Sequence, residues 1–461
     1  MKKCLILCAL LLCHANGFAE EKNYSYLFTN DFAYQKNRFA NEPDQFINSS
    51  SLFVNWGQWS GGLNLRGYNY YRQATNYTLP DSEFDFHRKY IQYTAENFEL
   101  QAGDFQSMLG RGLVLSVLPN EKAYRDRTVF GGDFRYHSNK WRIRALGGNV
   151  EDELKEQKWR IAGAEVSREY WKGNRVGFHA SYIHELNSIS FFKKGDRLTW
   201  SISLNADALP GGFSYYTEIS RLQIDDAFWQ DGSAYYGNLG WTKNNVSLLL
   251  EYKKYSNFDN GLNNPPSADR GDEVVDLIDS ETLRLYSQYS FFSPDIIAYV
   301  SVGRVEEAGI SGPHVYAGAN ASDIAGRLDF TFNYGFKETY YPVKITEGQA
   351  TFRITGVVAA DLSMRDKRYS EDEFRFQETD WTPQISWAPY GAVFYQRQYS
   401  HRLIRGRHNF HNYGFRFNFR RDSYLEFSTG TTRGGEVCSS GQCIFMPPFS
   451  GWKVGVFTTM R

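Results

Sequence analysis

After the first twenty positions this 461-residue chain has no apolar run approaching the roughly eighteen residues of a membrane-spanning helix, so helical spans are excluded. Cysteine is scarce: five in all, three of them (Cys4, Cys8 and Cys13) at the extreme N-terminus. That leaves Cys438 and Cys443, with no histidine nearby, which reads as a small disulfide loop in an exported chain rather than a metal site. Charge of one sign is also missing, since 51 Lys and Arg balance 52 Asp and Glu. Without a basic excess there is no electrostatic footprint for nucleic acid. No P-loop or dinucleotide fingerprint occurs, no cofactor is called for, and neither a composition shift nor a 20–50-residue repeat marks a second domain.

What is present begins with a processing signal over residues 1–19. Lys2 and Lys3 precede an apolar stretch from Cys4 to Cys13, and Gly17-Phe18-Ala19 supplies the small residues of a cleavage site. Leucines precede Cys8 and Cys13, so a lipoprotein site is not formed. Removing 19 residues from 461 leaves 442, read as a single domain over 20–461, with 49 basic and 52 acidic side chains and a net charge of −3.

The remainder alternates. In Asn409–Arg420, Tyr413, Phe415, Phe417 and Phe419 fall on one side and Asn412, Gly414, Arg416, Asn418 and Arg420 on the other. A period of two is the strand period. The same pattern runs through Leu198–Asn205, Val246–Lys253, Leu283–Phe291, Arg327–Tyr334, Phe130–His137 and Trp141–Ala145, and less cleanly through some fourteen other segments from Tyr24 to Met460. Long alternating segments, low average hydropathy and 17% aromatic residues point to a transmembrane antiparallel up-and-down β-barrel, lipid on one face of each strand and water on the other. Length suggests about 18 strands, within 16–20, at roughly 22–28 residues each. Ser138-Asn139, Lys243-Asn244-Asn245, Ser293-Pro294-Asp295 and Arg420-Arg421-Asp422 read as tight turns. The longer, charged connections are expected over Asn149–Lys158, Ser256–Glu281 and Ser363–Asp380, of which Ser256–Glu281 is strongly acidic.

The polar faces nominate pore-lining residues: Arg66, Arg88, Asp133, Arg135, Arg142, Arg144, Glu251, Arg284, Arg327, Asp329, Arg353 and Arg416. Charges of both signs on a strand face are tolerated where water reaches them, as in a wet barrel wall or an ion-selecting lumen. Phe105–Thr128 breaks the alternation with Gly110-Arg111-Gly112, the apolar run Leu113–Leu118 and a charged tail. Two readings stand: a strand followed by a surface loop, or a segment folded inward with Arg111, Arg125 and Arg127 as constriction charges. His179 and Ser181 share a strand face at a spacing of roughly 7 Å, too wide for a nucleophile–base pair, so no catalytic residue is assigned and the chain reads as a non-enzyme.

On these residues the chain resembles a Gram-negative outer-membrane β-barrel of porin-like type. Its Gly-Arg-Gly-Leu-Val-Leu segment and late cysteine pair resemble uncharacterised barrel proteins of environmental bacteria. The resemblance implies a place in the outer membrane of a Gram-negative bacterium, contact with its lipid and lipopolysaccharide, and insertion by the barrel assembly machinery. The usual C-terminal aromatic is displaced, since Phe457 precedes Thr458-Thr459-Met460-Arg461. The expected function is a passive channel for small polar or charged solutes. Its alternative is a non-conducting barrel that anchors a surface or secretion partner. A receptor with a plug domain before the barrel has no room, because strand pattern starts at Tyr24.

Overall fold

The computed structural model describes residues 24–38, 44–74, 77–120, 125–151, 157–171, 173–187, 195–225, 231–264, 266, 279–292, 295–307, 309–338, 342–371, 374–404, 406–439, 442–446 and 448–460. Side chains at 45, 68–85, 119–126, 187, 279, 292, 307, 370–376, 403 and 435–447 are outside the description, as are the proposed leader and most of the acidic stretch 257–278.

The alternation folds as a meander in which each wall strand pairs antiparallel with its neighbours. The first strand, Tyr24–Asn37, pairs with both Gln45–Trp56 and the last strand, Phe449–Met460, which closes the sheet into a barrel. The wall holds 24 strands, not 18. The difference has two physical sources. Connections at one end take only two to four residues, as at 57–58, 244–245 and 354–357, so the chain uses about 18 residues per strand (442 over 24). Strand pattern was also masked in Ile310–Ile324, where Ala317, Ala319 and Ala321 stand in place of bulky apolar residues. The stretch Ser363–Asp380, expected as a charged loop, instead belongs to the paired strands Val358–Glu371 and Phe374–Trp387. Thr351–Val358, one of the fourteen less cleanly alternating segments read as strands, straddles the turn between Val343–Arg353 and Val358–Glu371. Asn244 adopts φ 52°, the left-handed conformation expected of an Asn turn. The turn at 293–294 is outside the described residues.

Burial identifies the two faces. On Asp196–Leu209, Leu198 and Ile202 are 41% and 50% exposed, whereas Arg197 and Thr199 on the opposite face are 1% and 0% exposed. A water-soluble sheet would do the reverse, so the solvent outside this wall is lipid and the polar face looks inward. Trp56, Trp59, Trp141, Trp171 and Tyr390 stand exposed beside the short turns, forming an aromatic rim. Both ends of the barrel wall, Tyr24 and Met460, lie at this short-turn end, and the long connections 106–128 and 257–278 leave from the other.

Candidate functional site: the inward loops and the lumen wall

Between Phe98–Phe105 and Val129–His137 the chain leaves the wall, and residues 106–118 pack against its inner face. Ser107–Leu109 pairs with Leu115–Val117 as a small hairpin. At its tip Gly110 and Gly112 take φ 60° and 80°. Glycine is required at 110 for space as well: a Cβ there would lie 2.1 Å from Glu218 Oε1. The Arg111 backbone N–H donates to Glu218 Oε2 at 3.0 Å, and Ser201 Oγ donates to Glu218 Oε1 at 2.6 Å. The Tyr216 hydroxyl gives the carboxylate a third donor. A fully buried wall carboxylate is thus satisfied in part by loop backbone.

The apolar half of the segment explains its direction. Leu109, Val114, Leu115 and Val117 pack with Leu146, Val150, Trp159, Ile161 and Ile183, while Leu113 joins Leu222, Tyr236, Tyr255 and Phe258. Burying such side chains contributes about 1.5–3 kcal/mol each. The wall partners occupy lumen-facing positions, so apolar residues on the polar face were a signal present in the sequence.

A second inward segment, Phe258–Asn264, locks onto the first. Asn260 Nδ2 donates to the Val114 carbonyl at 2.9 Å and to Thr199 Oγ1 at 3.0 Å, and Asn260 Oδ1 accepts from Leu262 N at 2.9 Å. Backbone bonds run from Ser116 N to Leu262 O (2.6 Å) and from Asn264 N to Gly112 O (3.0 Å). From the wall, Arg197 pairs with Glu185 and donates to the Asn260 carbonyl at 2.6 Å.

The nominated charges fall into groups. Asp133 accepts from Arg135 Nε at 2.9 Å and from Arg144 Nε and Nη2 at 2.8 Å each. Arg144 also reaches the carbonyls of Met108 and Gln106, tying the loop's entrance to the wall. Arg142 lies exposed on the same inner face. Glu251 takes Arg284 at 2.6 Å, Lys253 at 3.1 Å and the Tyr236 hydroxyl at 2.8 Å. Away from the loops, Arg353 joins Asp323 and Asp329 (2.7 and 2.5 Å), and Arg416 joins Glu426 (2.7 Å). A recess of about 420 Å³ opens among Arg353, Gln384, Ser386, Arg416 and Asn418. Arg66 and Arg88 sit half-buried on strands Trp59–Ala74 and Tyr77–Thr94, at inward-facing register positions. Arg327 lies in the short turn before Leu328, its carbonyl bonded to Arg353 N.

Of the three constriction candidates, Arg111 stacks on Tyr216 (4.5 Å to the ring centroid) and lies 5.8 Å from the Tyr236 ring. Arg127 donates to the Gly261 carbonyl at 3.3 Å and covers the Trp159 ring. The Arg125 side chain lies outside the described residues, as do those of Cys438 and Cys443, whose backbones are directly opposed in the hairpin Gly435–Ser439/Gln442–Met446. Tyr286 and Tyr299 stack at 6.1 Å, and Tyr316 extends the row at 6.0 Å.

His179 meets a serine other than Ser181: its Nε2 lies 3.0 Å from Ser203 Oγ on the next strand, with Glu165 3.6 Å from Nδ1. Ser181 instead donates to the Val114 carbonyl. His179 and Ser203 are both buried, which leaves no approach for an acyl group to the hydroxyl. Among the described residues no three His, Cys, Asp or Glu side chains group as metal ligands.

A closed antiparallel barrel with an apolar, aromatic-rimmed outside and a charged inside is an outer-membrane β-barrel, and that is the class of this chain. Over residues 1–341 it matches the family of unknown function DUF6029, to which it belongs. No curated protein matches it. Among solved structures it is similar to the E. coli P pilus tip assembly intermediate PapC-PapD-PapK-PapG, at 9% identity over 96% of this chain and 62% of that one (TM-score 0.54). It is also similar to the siderophore receptor PirA of Pseudomonas aeruginosa, at 7% identity over 96% and 81% (TM-score 0.50). At these identities the likeness is one of fold alone.

Proposed function

We propose that the chain is a passive, water-filled channel for small polar or charged solutes, narrowed from one side by the two inward segments. The observation that carries this reading is an asymmetry of burial around the lumen. Against the inward loops, wall charges are sealed, as at Arg197 and Glu185. On the arc Leu328–Arg420, inward-facing Arg353, Arg365 and Arg416 keep 41%, 43% and 48% of their side-chain surface exposed. About twenty described loop residues line one arc of a 24-stranded wall, a size at which barrels enclose a wide lumen. The reading includes export by the N-terminal leader, insertion by the barrel assembly machinery and residence among outer-membrane lipid and lipopolysaccharide.

The test is conductance of the refolded protein in planar bilayers, with stepwise single-channel currents expected. A folded barrel that gives no steps would overturn the channel and turn the search to a stoichiometric partner in membrane pull-downs.

A further inference from the structure

We propose that Arg111 is an anion-binding point inside the lumen, making the channel selective for small anions of the phosphate and carboxylate type. This inference rests on the channel reading above and names its solute class.

The fold presents Arg111 in an unusual way. Most inward arginines in ion pairs are held by their side chains: Arg144 by Asp133, Arg284 by Glu251, Arg353 by Asp329, Arg416 by Glu426. Arg111 is held by its backbone. Its N–H occupies Glu218, and Gly110 and Gly112, both at positive φ, force the tight turn that puts it there. The guanidinium is therefore not needed to hold the loop. It is exposed and makes no ion pair among the described residues.

The surroundings favour a negative ligand. A guanidinium stacked on a ring uses its face and keeps its edge N–H groups, the set that binds planar or tetrahedral oxyanions in pairs. Neither nearby acid pairs with the guanidinium: Glu218 takes the Arg111 backbone N–H, and Glu251 takes Arg284 and Lys253. Glu218 and Glu251 are buried, each holding the hydroxyl of one of the rings near Arg111: Tyr216 to Glu218 and Tyr236 to Glu251. The tyrosines thus act as spacers, cation on the lumen side and carboxylates behind. Around them Arg111, Lys253 and Arg284 make three positive charges against the two acids, and Arg111 is the member that is exposed. The polar interior supplies water for a solute to arrive and leave, and one cation gives binding weak enough for transport.

The experiment measures reversal potentials under a tenfold potassium chloride gradient and block of the current by inorganic phosphate. The wild type, Arg111→Gln and Arg111→Lys are compared, each checked for barrel folding by heat-modifiable gel mobility. The wild type is expected to favour chloride over potassium and to be blocked by phosphate. Arg111→Gln should lower the chloride preference by about threefold, the effect of one unit charge roughly 7 Å away in water. It should also weaken the phosphate block, while Arg111→Lys retains both. Channels that conduct but show the same selectivity and block in Arg111→Gln would overturn the anion site and leave the channel standing. A folded wild type without step currents would overturn the channel and this inference with it.

Discussion

Replacing Asn260 by alanine should release the inward loops without unfolding the barrel. The side chain makes three hydrogen bonds inside the wall: to the Val114 carbonyl, to Thr199 Oγ1 and from Leu262 N. Val114 keeps a second donor in Ser181, but Thr199 and the Leu262 N–H lose a buried partner. At about 1 kcal/mol per bond, and more where a buried group is stranded, the loss comes to about 3–5 kcal/mol. The loosening should centre on Phe258–Asn264, which contributes few apolar side chains, chiefly Phe258 and Leu262, and is otherwise tied by backbone bonds to Gly112 and Ser116 and by Arg127 and Arg197, whereas residues 106–118 keep their own apolar packing on the wall. The wall has its own continuous ladder and does not depend on these contacts. Hydrogen exchange should therefore speed up at Leu262, Ser116 and Asn264 by a factor of about 100 or more, since each 1.4 kcal/mol is tenfold. Strand amides should stay protected, and single-channel current should become larger or flicker. Unchanged exchange at those three amides, with unchanged current, would refute the assignment of Asn260 as the clasp between the two segments.

Other perturbations separate the faces and the loops. Ile202→Arg, on the lipid side near mid-strand, should cost about 2–4 kcal/mol in folding titrations from urea, because a charge facing hydrocarbon cannot be hydrated; a loss below about 0.5 kcal/mol would argue against that face being in lipid. Gly110→Ala should displace the loop, since its Cβ meets Glu218 Oε1 at 2.1 Å and φ is 60°, and faster exchange at Arg111 N–H would report it. The opposed pair Cys438 and Cys443 should resist thiol alkylation in protein taken from the outer membrane until a reductant is added; immediate labelling of both would mean the loop is not closed.

The strand face of this chain is legible in its sequence wherever bulky apolar residues alternate with polar ones, as in Asp196–Leu209 and Arg407–Arg420. It fades where the lipid side carries alanine and glycine, as in Ile310–Ile324, because small residues satisfy the pleat without raising the apolar count. It also fades where polar side chains pair across strands: Asp366 on Val358–Glu371 accepts from Gln377 and Thr379 on the next strand, a polar patch that reads locally as loop. The inward turn of Gly110-Arg111-Gly112 was visible as a break, but its destination was not. Glu218 lies 107 residues away, and nothing local to either residue announces the bond. Asn260 was hidden for the same reason, sitting in a stretch whose acids drew notice while its partners Val114 and Thr199 are 146 and 61 residues distant.

Side-chain size along the inner wall ties these observations together. Where the loops lie against it, the wall sets small groups (Ser181, Thr199, Ser201, Ser220 and Gly163) among the apolar side chains the loops pack on, such as Leu146, Trp159, Ile161 and Tyr236. At Gly163 a Cβ would stand 2.8 Å from Leu109 Cδ1, so the loop's leucine occupies the volume of a missing side chain. Where no described loop covers the wall, inward positions on the arc Leu328–Arg420 carry the exposed side chains of Arg353, Arg365 and Arg416. A small inward residue in a barrel is cheap only if something else fills the space, and a long charged one is cheap only if water does. The two kinds of wall therefore specify, through volume and charge, which arc is filled by the chain itself and which is left to solvent. Arg111 stands where they meet, with its backbone in the filled arc and its guanidinium exposed to the lumen.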